Sequence, residues 1–241
     1  MSKYICKAPG KKSRDIIARD LKVSSPSYTR EYDFVYKRAK GNYIYDVDGR
    51  KYLDFSSSIA VMNAGHTNPE VVKAIKEQLK DGLHCAYTDF YAQKPLEFEE
   101  LLSTFTPKSL TKTFLSNSGT EAVEAAYKLA RWHTKKKWTI AFDPCFHGRT
   151  MGSLSMTYSH PVQRKRFEPF LPVKHVPYPD YYRFKGSNSE CNNNSLNAIE
   201  KQFKNLRGKI ASIFFEPVSG EGGYLVPEKS FVKDLRKLCN K

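Results

Sequence analysis

Strand-like and helix-like segments alternate after residue 111, and this order constrains the fold more than any other feature of the sequence. Short apolar segments are separated by segments whose apolar residues recur with helical periodicity. The strands are predicted at residues 113–116, 138–142 and 210–215, and the helices at residues 121–133 and 230–238. Alternation of this kind indicates an α/β domain with a largely parallel sheet. The last strand is apolar almost throughout, which is typical of a strand covered on both faces.

The preceding part of the chain predicts a β-hairpin. Two aromatic segments, residues 42–46 and 51–55, flank Asp48 and Gly49, and an Asp-Gly pair between such segments is a hairpin signal. Residues 24–28 contain three serines and a proline and are predicted to form a turn or loop.

Helix signals follow the hairpin. Pro69 suits the first turn of a helix, and Thr67 and Glu70 have the spacing of a capping box. A second helix is predicted over residues 94–105. In contrast, the polar stretch of residues 186–195 is predicted to be a surface loop or an insertion.

The charge of the chain is strongly positive. Its 241 residues include 40 Lys and Arg against 25 Asp and Glu, which gives a formal net charge of +15. A field of this sign attracts anionic metabolites or nucleic acid. No helix-turn-helix, zinc-finger or basic-zipper signature accompanies the charge, so solvated basic faces are favoured over nucleic-acid binding.

The cysteines and the apolar runs indicate a cytoplasmic protein. The five cysteines are Cys6, Cys85, Cys145, Cys191 and Cys239. No two have metal-ligand spacing, and an odd number argues against a disulfide framework, so free thiols and no metal site are expected. No apolar run reaches the roughly 18–20 residues of a membrane span, and the first residues lack a secretory signal.

A turn of small residues between the first predicted strand and its helix has the features of an anion site. Ser118, Gly119 and Thr120 stand where a helix start leaves backbone N–H groups unpaired and where its dipole favours negative charge. Gly119 lets an anion approach closely, and the two hydroxyl groups add donors. The turn suits one phosphate group. A helix capped by Ser118 or Thr120 is the alternative, and neither a Walker A loop nor a dinucleotide fingerprint is present.

Two further loops follow predicted strands and carry side chains suited to a ligand. Phe146 and His147 offer flat surfaces for an aromatic ring, and Arg149 offers a planar fork for a carboxylate. Glu216 ends the last strand, and ligands of open α/β sheets bind at such strand ends. Taken separately, each loop also has a simpler explanation. The first is a strand-end loop with a core Phe and an exposed Arg, and the second is a turn with a solvated or paired Glu. Three such motifs in equivalent positions favour a single site.

These motifs resemble those of the class III aminotransferases. The matching segments are residues 116–126, 146–150 and 215–223, together with residues 43–55 and Gly65, His66 and Pro69. The similarity runs in order through nearly the whole chain. It implies the type I fold of pyridoxal-phosphate-dependent transferases in incomplete form. Residues 1–65 would be an N-terminal segment with a hairpin in the small domain, and residues 66–241 an incomplete cofactor-binding large domain.

The resemblance also implies roles for individual residues. The implied cofactor-binding residues are Ser118, Gly119, Thr120, Phe146 and His147, and the implied substrate-binding residues are Arg149, Glu216 and Tyr28. The first three would hold the phosphate of pyridoxal 5'-phosphate, and the Phe ring would stack on its pyridine ring with the His beside it. The Arg would take a substrate carboxylate, and the Glu and Tyr would lie near the substrate.

The implied activity is transfer of an amino group to a 2-oxo acid. The donor would be ornithine, acetylornithine, 4-aminobutyrate or a similar amino acid, and the active form would be a homodimer. A racemase or an aminomutase on the same fold is the related alternative.

The sequence departs from the family pattern beyond residue 238. Family members continue into a strand with an Asp-Glu-x-Gln motif, and their Schiff-base lysine follows later. No lysine of this chain has a matching context, so no catalytic residue is predicted within it. Three hypotheses remain: half of a split enzyme that needs a complementary C-terminal chain, an inactive fragment, or a basic binding or scaffold protein.

Overall fold

The structure, a computed structural model, describes residues 9–28 and 30–241. The chain forms two compact units, one ending at Phe98 and the other comprising Glu99–Lys241. The domain boundary predicted after residue 65 stays a prediction. Cys6 lies outside the described residues.

The first unit contains a three-stranded antiparallel sheet and several helices. Its elements are α1 (Lys11–Val23), β1 (Tyr36–Lys40), β2 (Tyr43–Asp46), β3 (Lys51–Leu53), α2 (Ser57–Ala60), α3 (Pro69–Asp81) and the first part of α4 (Gln93–Phe105). Strand β2 pairs with both β1 and β3, so the predicted hairpin is present and has an additional strand. The carboxylate of Asp48 in the hairpin turn accepts hydrogen bonds from the N–H groups of Lys12 and Ser13, each at 3.1 Å. It thereby caps α1, a helix that the sequence did not predict.

Helix α3 begins at Pro69 as predicted, but the predicted cap was wrong. Asn68, not Thr67, is the N-cap, and its side-chain oxygen accepts a hydrogen bond from the N–H of Glu70 at 2.9 Å. Thr67 has a φ of 52° and donates its hydroxyl to the carbonyl of Ala39 at 2.6 Å. Its hydroxyl therefore joins the start of the helix to β1 instead of capping it.

The second unit is an α/β domain with a parallel sheet, as predicted. Its elements after α4 are α5 (Gly119–Thr134), β4 (Trp138–Asp143), α6 (Met151–Met156), β5 (Val173–Pro177), α7 (Asn188–Leu206), β6 (Ile210–Ile213) and α8 (Lys229–Asn240). The strand order is β5–β4–β6, and both pairings are parallel. The central strand β4 is the most buried, whereas every residue of β6 is only half-buried. Residues 210–213 are therefore less buried than β4, and β6 pairs with a described strand along one edge only.

The strand predicted at residues 113–116 does not form in the described part of the chain. This segment has no regular secondary structure, and the side chain of Phe114 is 75% exposed. An extended segment becomes a strand only when a neighbour accepts and donates its backbone hydrogen bonds. None of the described strands pairs with this segment.

The loop or insertion predicted at residues 186–195 was also wrong, because most of this stretch is the first half of α7. Ser187 and Glu190 form a capping box, in which each side chain bonds the backbone N–H of the other residue. The buried amide of Asn192 accepts a hydrogen bond from the Tyr181 hydroxyl at 2.7 Å and donates one to Glu228 at 3.2 Å. The polar residues thus bond inside the domain. Although α7 has 19 residues, neither it nor any other described helix is long and apolar enough to span a bilayer.

The core of the second unit lies between the sheet and its helices. Phe142, near the carboxyl end of β4, makes edge-on ring contacts with Tyr178, Phe215 and Phe231, at centroid distances of 5.7, 5.2 and 6.3 Å. Phe231 belongs to the apolar face of α8 that the sequence predicted, and it is fully buried. This aromatic cluster anchors the carboxyl ends of β4 and β6, where the loops with the predicted site residues begin.

Candidate active site

The start of α5 exposes unpaired backbone donors. Ser118 is the N-cap, and its hydroxyl accepts a hydrogen bond from the N–H of Glu121 at 3.3 Å. The N–H groups of Gly119 and Thr120 have no acceptor among the described residues. A Cβ atom added to Gly119 would have no heavy atom within 4 Å. Two donors beside open space at a helix start are what an anion site requires.

The hydroxyl of Thr120 holds the loop after β4 against this helix start. It lies 2.9 Å from the Thr150 hydroxyl and 2.6 Å from the Ser153 hydroxyl. Glu124 accepts hydrogen bonds from the Thr150 hydroxyl at 2.6 Å and from the N–H of Ser153 at 3.1 Å. A Cβ atom at Gly148, whose φ is 130°, would lie 2.3 Å from the same Thr120 oxygen. Only glycine fits at this position without displacing the loop.

Glu216 connects the loop after β4 with the loop after β6. Its carboxylate accepts hydrogen bonds from the N–H groups of Phe146 at 2.9 Å and Gly220 at 3.3 Å. Burial raises the pKa of Glu216, and the two N–H donors act in the opposite direction. The guanidinium carbon of exposed Arg149 lies 5.9 Å from the centroid of the Phe146 ring. The structure therefore brings the loop that carries Phe146 and Arg149 into contact with Glu216 at the carboxyl ends of β4 and β6.

His147 presents a buried nitrogen without a partner. Its backbone N–H donates to the Thr157 hydroxyl at 2.9 Å, and its ring meets Phe214 edge-on at 5.9 Å. Nε2 is buried and has no hydrogen-bond partner among the described residues. Burial lowers the pKa of His147 to about 4, so the ring is neutral at pH 7. Because buried polar atoms are rarely left unpaired, Nε2 is a candidate contact for a ligand.

Tyr28 belongs to the first unit. Its side chain is 65% exposed, and the guanidinium of Arg30 lies 5.0 Å from its ring centroid. Its predicted role in substrate binding stays a prediction.

Two residues beside the site were not singled out by the sequence. Cys145 is buried, and its thiol donates to the carbonyl of Met156 at 2.9 Å. Burial, reinforced by the charge of Glu216, raises the pKa of the Cys145 thiol to about 12. Arg164 stands in the basic run Arg164-Lys165-Arg166, and solvated basic faces were the favoured explanation of the positive charge. Its guanidinium is instead partly buried and donates to three backbone carbonyls at the end of α6, at 3.1, 3.1 and 2.5 Å.

The parallel sheet, with loops at its strand ends and an open helix start beside them, has the architecture of the type I fold of pyridoxal-phosphate-dependent transferases, in incomplete form. The chain belongs to the class III aminotransferases, because the family model described as "Aminotransferase class-III" matches residues 24–241. The resemblance recognised in the sequence is thereby confirmed.

Several characterised proteins are similar to this chain. The acetylornithine aminotransferase of Methanopyrus kandleri is 41% identical over 202 residues, which cover 83% of this chain and 47% of that enzyme. The alanine/serine racemase of Pyrococcus horikoshii is 31% identical over 247 residues, which cover 98% of this chain and 52% of that enzyme. A crystal structure of a thermostable (S)-enantioselective omega-transaminase from Thermomicrobium roseum superposes with a TM-score of 0.86 at 25% identity, covering 94% of this chain and 54% of that one. The chain thus spans about half the length of the relatives it matches.

Class III aminotransferases depend on pyridoxal phosphate, and the residues present here fit this group. The free N–H groups of Gly119 and Thr120 suit its phosphate. The partly exposed ring of Phe146 and the unpaired Nε2 of His147 lie in the adjoining loop. An aromatic ring and a polar contact beside an anion site are the features that a phosphorylated aromatic cofactor needs.

Proposed function

We propose that this chain supplies the phosphate-binding and ring-binding part of a transaminase. The enzyme would transfer an amino group from ornithine, acetylornithine, 4-aminobutyrate or a similar amino acid to a 2-oxo acid. The observation that carries the proposal is the open start of α5, which the hydroxyl of Thr120 joins to the loop bearing Phe146. When bound, pyridoxal phosphate supplies the electron sink that this exchange needs.

The proposed cofactor residues bind pyridoxal phosphate and orient its ring. Ser118 holds the helix start in its capped geometry, while the N–H groups of Gly119 and Thr120 donate to the phosphate. Phe146 packs against the aromatic ring of the cofactor. His147 stays neutral at pH 7, since burial lowers its pKa to about 4, and it contacts the cofactor without adding charge.

The proposed substrate residues recognise charge. Arg149 is exposed and offers a bidentate fork to a carboxylate. Glu216 is held by two backbone N–H groups and keeps acceptor positions for the amine of the donor. Tyr28 is proposed as a further contact from the first unit.

The proposed active form includes a partner, either a second copy or a complementary chain. This is supported by the membership of the chain in the class III aminotransferases. A cytoplasmic location is proposed with it.

Racemisation is the second candidate activity, and the similarity to the alanine/serine racemase of Pyrococcus horikoshii favours it. Product analysis of the assembled enzyme separates the two activities. Transamination requires a 2-oxo acid and yields a new amino acid, whereas racemisation proceeds without an acceptor.

A binding measurement tests the proposed phosphate site. The chain is titrated with pyridoxal phosphate and, in parallel, with pyridoxal, and the affinities are compared, because lysine side chains react with the aldehyde of both compounds. We expect the phosphorylated compound to bind about tenfold more tightly, which corresponds to about 1.4 kcal/mol. The substitution Gly119→Ala should abolish this preference while leaving the circular dichroism spectrum unchanged, because a methyl group there meets no protein atom. Equal binding of both compounds by the unmodified chain contradicts the proposal.

A further inference from the structure

Three side chains that favour the same metal ions meet beside the proposed cofactor site. The Sγ of Cys145, a ring nitrogen of His147 and a carboxylate oxygen of Glu216 all lie within 4.8 Å of one another. Thiolate sulfur, imidazole nitrogen and carboxylate oxygen are the ligands of Zn²⁺, whose tetrahedral shell brings such atoms to about 3.5 Å from one another. Side-chain movements on the order of 1 Å would close the three atoms around one ion.

The free lone pairs of these groups suit a divalent cation. The Nε2 of His147 is buried and is not engaged by any described residue. The Glu216 carboxylate uses its two oxygens for backbone N–H donors and has lone pairs left for a metal. The Cys145 thiol gives up its proton to solvent when a metal binds its sulfur. One thiolate and one carboxylate balance the two charges of the ion, so the complex adds no net charge to a largely buried place.

We propose that Cys145, His147 and Glu216 form a binding site for Zn²⁺ or a similar soft divalent cation, with a fourth position open to water. A metal held there occupies two of the residues proposed for cofactor and substrate binding. Metal binding and transaminase function are therefore mutually exclusive at this site. The identification of the metal site does not rest on the proposed function, because its three ligands are identified by their own geometry.

Cobalt binding tests the proposal without cofactor or substrate. The reduced chain is titrated with Co²⁺, a spectroscopic substitute for Zn²⁺, and absorption is recorded in the near ultraviolet, where thiolate-to-cobalt charge transfer appears. We expect one equivalent to produce this absorption and Zn²⁺ to displace it. The substitution Cys145→Ser should remove the absorption and weaken binding at least about tenfold.

The matched control is Cys191→Ser, which changes a second buried free thiol outside the cluster. This variant should retain the absorption and the affinity. Glu216→Gln, which keeps the size of the side chain, should weaken binding without removing the sulfur-to-metal absorption. The proposal is overturned if the charge-transfer absorption persists in Cys145→Ser or disappears in Cys191→Ser. It is also overturned if the unmodified chain shows no such absorption.

Discussion

Burial keeps two imidazoles of the second unit neutral, and this makes the stability of the unit dependent on pH. The pKa values of His147 and His175 are each lowered to about 4, chiefly by burial. Between pH 6.5 and 4 the unfolded chain binds protons that the folded chain excludes, so the free energy of unfolding falls as the pH falls through this window. The expected loss is on the order of 1–3 kcal/mol for each histidine.

Chemical denaturation followed by circular dichroism at pH 7, 5.5 and 4 measures this dependence. The substitution His175→Gln should flatten it by about half, because one of the two linked groups is removed. His133→Gln is the matched control, since this histidine lies on the exposed face of α5. A pH dependence that is unchanged in His175→Gln would show that burial of this ring does not produce it.

The sequence predicts the site residues that belong to contiguous motifs, but not those that act through distant partners. Phe146 and Arg149 share one loop with a recognisable pattern. Cys145 becomes a candidate ligand only because Glu216 lies close to it. Glu216 is 71 positions away in the chain, and the pairing of β4 with β6 brings the two residues together. Arg164 sits in a basic run, and only the structure shows that its guanidinium donates hydrogen bonds to the backbone carbonyls at the end of α6. Composition and spacing contain no signal for contacts of this kind.

At the level of elements, local signals located the helices better than the strands. Helix α5 follows from apolar periodicity and a strong N-cap, both of which lie within the helix itself. A strand depends on a partner, so residues 113–116 have strand-like composition yet remain irregular. Helix α7 was missed because a run of Asn and Ser resembles a loop, whereas a capping box begins it and internal hydrogen bonds stabilise its polar face.

The capping box of α7 is expected to contribute measurably to stability. In Ser187→Ala the N–H of Glu190 loses its acceptor at 3.3 Å, and the Glu190 carboxylate loses the hydroxyl donor at 2.8 Å. We expect the free energy of unfolding to fall by about 1 kcal/mol, as for other caps. Ser189→Ala in the first turn of the same helix is the control and should leave the stability nearly unchanged, because this side chain is exposed and takes no part in the capping box. Equal effects of the two substitutions in urea denaturation would show that the box is not stabilising.

For the whole molecule, the exposed apolar side chains of the first unit determine the expected association behaviour. Helix α3 has a marked apolar stripe but no buried residue, and Val71, Ile75 and Leu79 are 50%, 56% and 52% exposed. Monomeric proteins rarely leave such a stripe in water, and a contiguous patch of this kind marks an association surface. The positive charge of the chain opposes association of like copies at low ionic strength, and salt screens this repulsion.

The chain is therefore expected to self-associate through α3, and to do so more strongly as the salt concentration rises. Ile75→Glu places a charge in the centre of the stripe and should shift the species seen by sedimentation velocity toward the monomer. We expect the dissociation constant to rise at least about tenfold, which corresponds to a loss of about 1.4 kcal/mol in the free energy of association. Lys73→Glu introduces the same side chain on the opposite face of the helix and relieves charge repulsion, so it should not weaken association. If both variants dissociate equally, the surface lies elsewhere. If the unmodified chain is monomeric at every salt concentration, the stripe is not used between copies, and a complementary chain becomes the partner to test.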